Sequence, residues 1–234
     1  MMNNQIKGLL YFFISDIRHS ILIFWSILLF VLLVSIAFAY YLLGVEDGML
    51  AFGFPFAIYF YCTILGFMTV KESIPFSIKM GATRKNIIIS IGLFFLIIAT
   101  LKSLIANVLQ EVVLFITEST NITSFMFLHP AMLFEDTFLN RILVDISIMF
   151  FLLSFMFVIG LLFYKYGFAG GGLVAGVLVI ALMFGIAKGW IYDFIVELAK
   201  KVDILFFFQI LGVGLLLFLF SFVFVRRITI EKKR

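Results

Sequence analysis

Six long apolar stretches run along the chain, at residues 20–43, 50–70, 87–109, 142–164, 168–187 and 204–225, each bounded by polar or charged residues. A helix of about 20 residues crosses the roughly 30 Å hydrocarbon core of a bilayer, so each stretch is long enough to span it. In lipid the backbone must satisfy its own hydrogen bonds, which predicts helices. The runs are apolar all round and lack the dyad alternation of barrel strands. The separators, at 44–48, 71–86, 117–141, 165–167 and 188–203, are too short for an independent soluble domain. The expectation is an all-α polytopic membrane protein forming a single transmembrane domain over residues 1–234.

Three further segments carry a helical pattern without being spans. Ile6, Leu9, Leu10, Phe13, Ile14 and Ile17 lie on one helical face, while Asn4, Lys7, Ser15, Asp16 and Arg18 lie on the other. This predicts an interfacial helix over 4–19, or alternatively an extension of the first span. Residues 188–203 repeat the pattern with Ile191, Phe194, Ile195, Leu198 and Val202, flanked by Trp190 and Tyr192, and predict an amphipathic helix on the outer surface. Between the second and third spans, Ser73 can cap a short helix, Pro75 fits its first turn, and Gly81 suits the left-handed residue that ends one. Thr83 can then cap the third span, with Arg84 and Lys85 at headgroup level. Within that short helix, 73–81, Ile74 pairs with Ile78 and Phe76 with Met80 at helical spacing. These four gain nothing from water and require a partner surface, either lipid headgroups or protein.

Composition agrees with the pattern: of 234 residues, 65% are hydrophobic and only 13% charged, more apolar side chain than a soluble domain can hide. The net charge of +4 matters less than its placement. With the N-terminus inside, cytoplasmic segments hold Lys7, Arg18, Lys71, Lys79, Arg84, Lys85, Lys165, Arg226, Arg227, Lys232, Lys233 and Arg234. Outer segments hold Arg141, Lys188, Lys200 and Lys201, and acidic residues such as Glu46, Asp47, Glu135 and Asp136. The asymmetry predicts both termini in the cytoplasm. The first apolar run has no small-residue cleavage site after it and is expected to be a retained span.

Candidate chemistry is sparse. No phosphate-cradling Gly-x4-Gly-Lys-Ser/Thr pattern is present, and no Gly-x-Ser-x-Gly elbow or His-Glu-x-x-His. His19 and His129 fall on opposite predicted sides, and Cys62 is alone in an apolar run. No catalytic residue, metal site or bound cofactor is expected. The ionisable residues near membrane depth are Lys102, Glu111 and Asp145, and such groups are functional candidates by default. Counted from Ile87, Lys102 lies about 22 Å along its helix, in the outer leaflet and at a depth similar to that of Asp145. Either the two pair between neighbouring spans, or Lys102 snorkels outward and Asp145 meets water. Gly172 and Gly176, four residues apart, allow close helix approach within one subunit or between two.

The order of parts resembles the permease subunits of ABC exporters of type 2. Ile74-Pro75-Phe76-Ser77, followed by Met80-Gly81-Ala82-Thr83-Arg84-Lys85, is similar to the Pro-Phe-Ser…Gly-x-Thr/Ser-Arg-Lys stretch of small bacterial members. The resemblance implies that residues 73–81 are a coupling helix docking on a separate ATPase subunit, which holds ATP and magnesium. It makes 4–19 a connecting helix and 188–203 an outer helical element. It also implies a second permease subunit, identical or related, a bacterial cytoplasmic membrane, and no nucleic acid among the partners. The Phe-rich spans suggest an amphipathic peptide, lipid or drug as cargo. The connection 117–141 departs from the family's short outer loop. Two other readings are a non-transporting scaffold or sensor using the same loop, and a secondary carrier. The scarcity of midplane carboxylates disfavours the carrier.

Overall fold

The computed structural model describes residues 2–45 and 48–226, with the backbone alone for residues 2, 3, 194, 195 and 198–201. Glu46, Asp47, Arg227, Lys232, Lys233 and Arg234, which entered the charge asymmetry, lie outside the described residues. So do the side chains of Phe194, Ile195, Leu198, Lys200 and Lys201.

Five helices are long and apolar enough to cross a membrane: α1 (Met2–Leu42), α2 (Phe54–Lys79), α3 (Arg84–Ser119), α4 (Phe138–Ala187) and α6 (Ile204–Arg226). A shorter helix, α5 (Trp190–Lys201), precedes α6, in the place of the expected amphipathic helix. The protein is therefore an all-α polytopic chain, with one exception that its sequence did not announce. β1 (Leu50–Phe52) and β2 (Phe125–Phe127) pair in parallel, Leu50 opposite Phe125. Three-residue strands rich in phenylalanine have β propensity but are too short to display a period.

Those strands build a cap. Ser124 Oγ donates to the Ala39 carbonyl, Leu50 N–H to the Ser124 carbonyl at 2.7 Å, and Leu128 N–H to the Phe52 carbonyl at 3.0 Å. A 3-10 helix, Pro130–Leu133, completes the connection to α4. The long 117–141 segment is thus folded onto the ends of α1, α2 and α4. Since α2 has 26 residues, or about 39 Å at 1.5 Å each, the turn joining α2 to α3 lies at the opposite end of the bundle.

At that turn end two expectations change. Residues 4–19 are not a separate elbow, because α1 runs unbroken from Met2 to Leu42. Its apolar face is nonetheless used: Leu9 and Phe13 are buried, and Phe12 stacks on Phe76 with ring centroids 3.8 Å apart. Nor are residues 73–81 a separate helix. α2 continues to Lys79 with Ser73 and Pro75 in its interior, and the Ser73 side chain caps nothing. A proline costs a helix one N–H and crowds the carbonyl four residues earlier. That carbonyl belongs to the exposed Lys71, and burial of fully enclosed Ile74 and the Phe12–Phe76 stack offset the loss.

The punctuation that follows does hold. Gly81 has φ +75°, and the Thr83 side chain accepts from the Asn86 N–H to cap α3. A Cβ at Gly81 would meet nothing within 4 Å, so Gly81→Ala isolates the conformational cost. We expect about 1 kcal/mol of destabilisation, read as a lower unfolding midpoint in detergent.

α4 has 50 residues, roughly 75 Å of helix if straight and over twice the hydrocarbon thickness. Its dihedrals are broken at Gly167, φ 68° and ψ −171°. The chain turns back there: a Cβ on Gly171 would lie 2.4 Å from the ring of Phe163, two turns earlier in sequence. Asp203 and Ile204 accordingly line one pocket with Glu135 and Asn140, at the N-terminal end of α4. The core fills the space between α2, α3, the first arm of α4 and α6. Phe94, Phe95, Phe150, Phe157 and Phe218 meet there.

Close helix approach falls at glycines other than those expected. A Cβ at Gly66 would lie 2.5 Å from the Leu153 carbonyl oxygen, and one at Gly214 would lie 2.9 Å from the Phe151 Cα. Gly172 and Gly176, by contrast, approach no other helix among the described residues; Gly176 has none of them within 4 Å. The second arm of α4 packs so little against the rest that Leu173, Val177, Ile180 and Phe184 stay exposed.

Candidate functional site

Two buried charges occupy the middle of the bundle, on either side of one turn of α2. Asp145, on α4, is 2% exposed. Its Oδ1 accepts from the Tyr59 hydroxyl of α2 at 2.5 Å and lies 3.2 Å from His129 Nε2. Its Oδ2 accepts from Asn107 Nδ2 of α3 at 2.8 Å, with the Ser103 hydroxyl at 3.4 Å. The Asn107 amide spends its other hydrogen on the Ser103 carbonyl at 2.9 Å. One carboxylate therefore ties together α2, α3, α4 and the cap.

The hydrogen-bond pattern assigns the histidine tautomer. The Ala131 N–H donates to His129 Nδ1 at 3.0 Å, so Nδ1 is an acceptor and the ring proton sits on Nε2. That proton points at Asp145. With donors on both oxygens, the lone pairs of the carboxylate are turned to protein and not to a metal. Among the described residues no three His, Cys, Asp or Glu side chains converge to hold one.

Lys102 is the second charge, 2% exposed and one residue before Ser103 on α3. It does not pair with Asp145. Its ammonium instead sits 3.8 Å from the Tyr61 ring centroid, 4.3 Å from that of Phe24 and 5.5 Å from that of Trp25. It has no hydrogen-bond partner among the described residues. The reason is angular. Neighbouring residues on a helix point about 100° apart, so Ser103 faces α4 while Lys102 faces the seam between α1 and α2. Three ring faces give a desolvated ammonium roughly 2 kcal/mol or more, against a desolvation penalty of several kcal/mol. The cage holds the cation without fully compensating it.

The depth of Lys102 along its helix is the one counted from Ile87, and Ser103 beside it meets Asp145 at a similar level. Gln5 hydrogen-bonds Asn86, Phe13 meets Phe94, and Phe24 meets Lys102, so α1 and α3 run side by side from the turn end. Lys102 thus sits about one turn beyond the polar stretch 16–20 of α1, still about 22 Å from Ile87 along unbroken α3. Glu111, also a candidate, lies at the surface and joins Asp136 in holding Arg141, at 2.9 and 2.6 Å.

Of the residues singled out at the turn, Ile74 is fully buried, Phe76 stacks on α1 and Ile78 packs against the core. Phe76 thus finds its partner surface on α1 of the same chain, and Ile74 and Ile78 find theirs in the core. Met80 alone of the four stays exposed, at 67%, together with Lys79, Gly81, Thr83 and Lys85. Arg84 is half-buried, and its Nη1 lacks a partner among the described residues.

The amino-acid sequence did not point to Tyr59, Ser103, Asn107 and His129 as neighbours of Asp145, or to the rings around Lys102. One signal was available: Ser103, Asn107 and Gln110 recur at helical spacing inside an apolar span, and all three are buried. His129 gave none, because a histidine in a loop does not reveal which span it will reach. The chain matches no protein-family model, no curated protein and no solved structure.

Proposed function

We propose that the chain is the membrane-spanning permease subunit of an ATP-driven exporter of the ABC type 2 class, working with a separate ATPase subunit that carries ATP and magnesium. The observation that carries this reading is the turn 79–85. It is fixed by the positive φ of Gly81 and the Thr83 cap, it projects from the end opposite the strand cap, and it presents Lys79, Met80 and Lys85 to a partner. In this reading α4 crosses twice, giving six spans, and the turn end faces the cytoplasm of a bacterial cell. The unpacked arm with Gly172 and Gly176 would meet a second permease subunit. Force from the ATPase would enter at the turn and reach the Asp145 cluster along α2 and α3. Cargo would be an amphipathic peptide, lipid or drug passing between the subunits.

The docking surface in this proposal is smaller than the sequence suggested, since Ile74, Phe76 and Ile78 are spent inside the chain. That same observation favours a second reading, a non-transporting scaffold or sensor subunit, because an internally satisfied helix needs no motor. Purification of the chain from its native membrane decides between them. The exporter reading expects ATP hydrolysis to co-elute and to fall about tenfold in a Met80→Asp, Lys85→Glu double variant of unchanged unfolding midpoint. Absence of co-eluting hydrolysis, or hydrolysis indifferent to the double variant, overturns it in favour of the scaffold.

A further inference from the structure

Lys102 is the one buried cation of the bundle's interior that touches no acceptor among the described residues. It lies behind an opening. A groove of about 490 Å³ runs along the seam of α1 and α2, lined by Asp16, His19, Ser20, Ile23, Phe24 and Tyr61. Phe24 and Tyr61 are shared: on one side they face the groove, on the other they hold the ammonium at 4.3 and 3.8 Å. The Tyr61 hydroxyl donates to Ser20 Oγ at 3.1 Å, a single exposed bond that sets the ring as a wall between the two.

The groove is graded in polarity along α1. Its mouth carries Asp16, His19 and Ser20, and its deeper part carries Ile23 and Phe24. A bilayer lipid has the same grading, headgroup then phosphate then acyl chain. From Ser20 to Phe24 is about 6 Å of helix rise, the distance over which a lysine side chain reaches toward an interface. A polar mouth, an unmatched cation one turn deeper and apolar walls at its level fit one class of ligand.

We propose that the groove between α1 and α2 seats a phospholipid, its phosphate taken by the Lys102 ammonium and an acyl chain lying along Ile23 and Phe24. The phosphate supplies the acceptor that Lys102 lacks, and the three rings shield the pair from water, which strengthens it. Tyr61 rotates off Ser20 to admit the phosphate, since its hydroxyl is held by a single exposed hydrogen bond. Asp16 stands about 12 Å back from Phe24 along the helix, on the water side, where it faces the amine of an ethanolamine headgroup and leaves the phosphate to Lys102. The inference needs only that the chain spans a bilayer, and it stands or falls independently of the exporter reading.

The chain has two tryptophans, and the exposed Trp190 can be replaced, so that Trp25, 5.5 Å from the ammonium, reports alone. The Trp190→Phe protein in maltoside micelles is titrated with bromine-labelled phosphatidylethanolamine or with diacylglycerol of the same brominated chains. The expected result is quenching at about fivefold lower lipid content for the phosphatidylethanolamine. The difference should vanish in Lys102→Gln and persist in Lys102→Arg. Equal quenching by the two lipids overturns the proposal, and needs no change at Lys102. So does a difference that survives Lys102→Gln, or displacement of the lipid by inorganic phosphate alone.

Discussion

Replacing Asp145 with leucine should destabilise the protein by about 3–5 kcal/mol, the cost of removing one partner from a buried charged network. The carboxylate accepts from donors on three elements: the Tyr59 hydroxyl, His129 and one of the two Asn107 amide hydrogens. Leucine leaves those three hydrogens buried without that acceptor, and each stranded donor costs about 1–3 kcal/mol before any relaxation. The spokes are cheaper than the hub. Tyr59→Phe removes one donor and leaves the carboxylate its others, for about 1–2 kcal/mol. Asp145→Asn should fall between, because it keeps one acceptor oxygen and turns an amide N–H toward the Tyr59 or Asn107 side. Denaturant titration in mixed micelles reads the series. Leucine no worse than Tyr59→Phe would show that the carboxylate does not hold these elements together.

Gly66→Val is the second large effect, and it arises from shape alone. A Cβ at this position would sit 2.5 Å from the Leu153 carbonyl oxygen and 3.0 Å from the Leu153 Cα. Those are backbone atoms of α4, which no rotamer change can move aside. Overpacking in a filled core costs about 1–3 kcal/mol when side chains can yield, and here the two helices themselves must part. In lipid, close packing is the main source of helix association. The expected outcome is loss of the folded population in detergent, with Gly66→Ala milder but still destabilised. Gly176→Val is the control, since its Cβ would meet nothing within 4 Å. It should leave the unfolding midpoint of the monomer unchanged, and any loss of a dimer in that variant would locate the subunit contact on the second arm of α4. Similar midpoints for Gly66→Val and Gly176→Val would remove the basis for the close α2–α4 approach.

Features that depend on residues a turn or two apart are legible in the amino-acid sequence. The long apolar helices are, because lipid admits only such helices, though the expected fourth and fifth stretches share the single kinked α4. The turn is, because a left-handed residue calls for glycine at 81 and an orphan N–H calls for an oxygen at 83. The amphipathic face of residues 6–17 reads as a surface to be covered, and it is covered at Leu9 and Phe13 while Ile14 stays exposed. Its cover was not legible, and that changed the reading of the whole turn end: Phe76 met Phe12 of α1, and Ile74 and Ile78 went into the core, in place of an outside partner.

The tertiary structure alone decided who meets the charges. Lys102 and Asp145 invited pairing by depth and sign, yet consecutive residues on α3 point in different directions, and each charge took the partners its own direction offered. The contacts that define the interior join residues far apart in sequence: Tyr59 to Asp145 across 86 positions, Ser124 to Ala39 across 85, Gln5 to Asn86 across 81. A hydrophobic period records that a face must be buried, because that cost falls on each residue by itself. Which face buries it depends on how whole helices cross, on glycines such as Gly66 that let them touch, and on the reversal at Gly167. Those quantities belong to the packed bundle and to no single stretch of the chain.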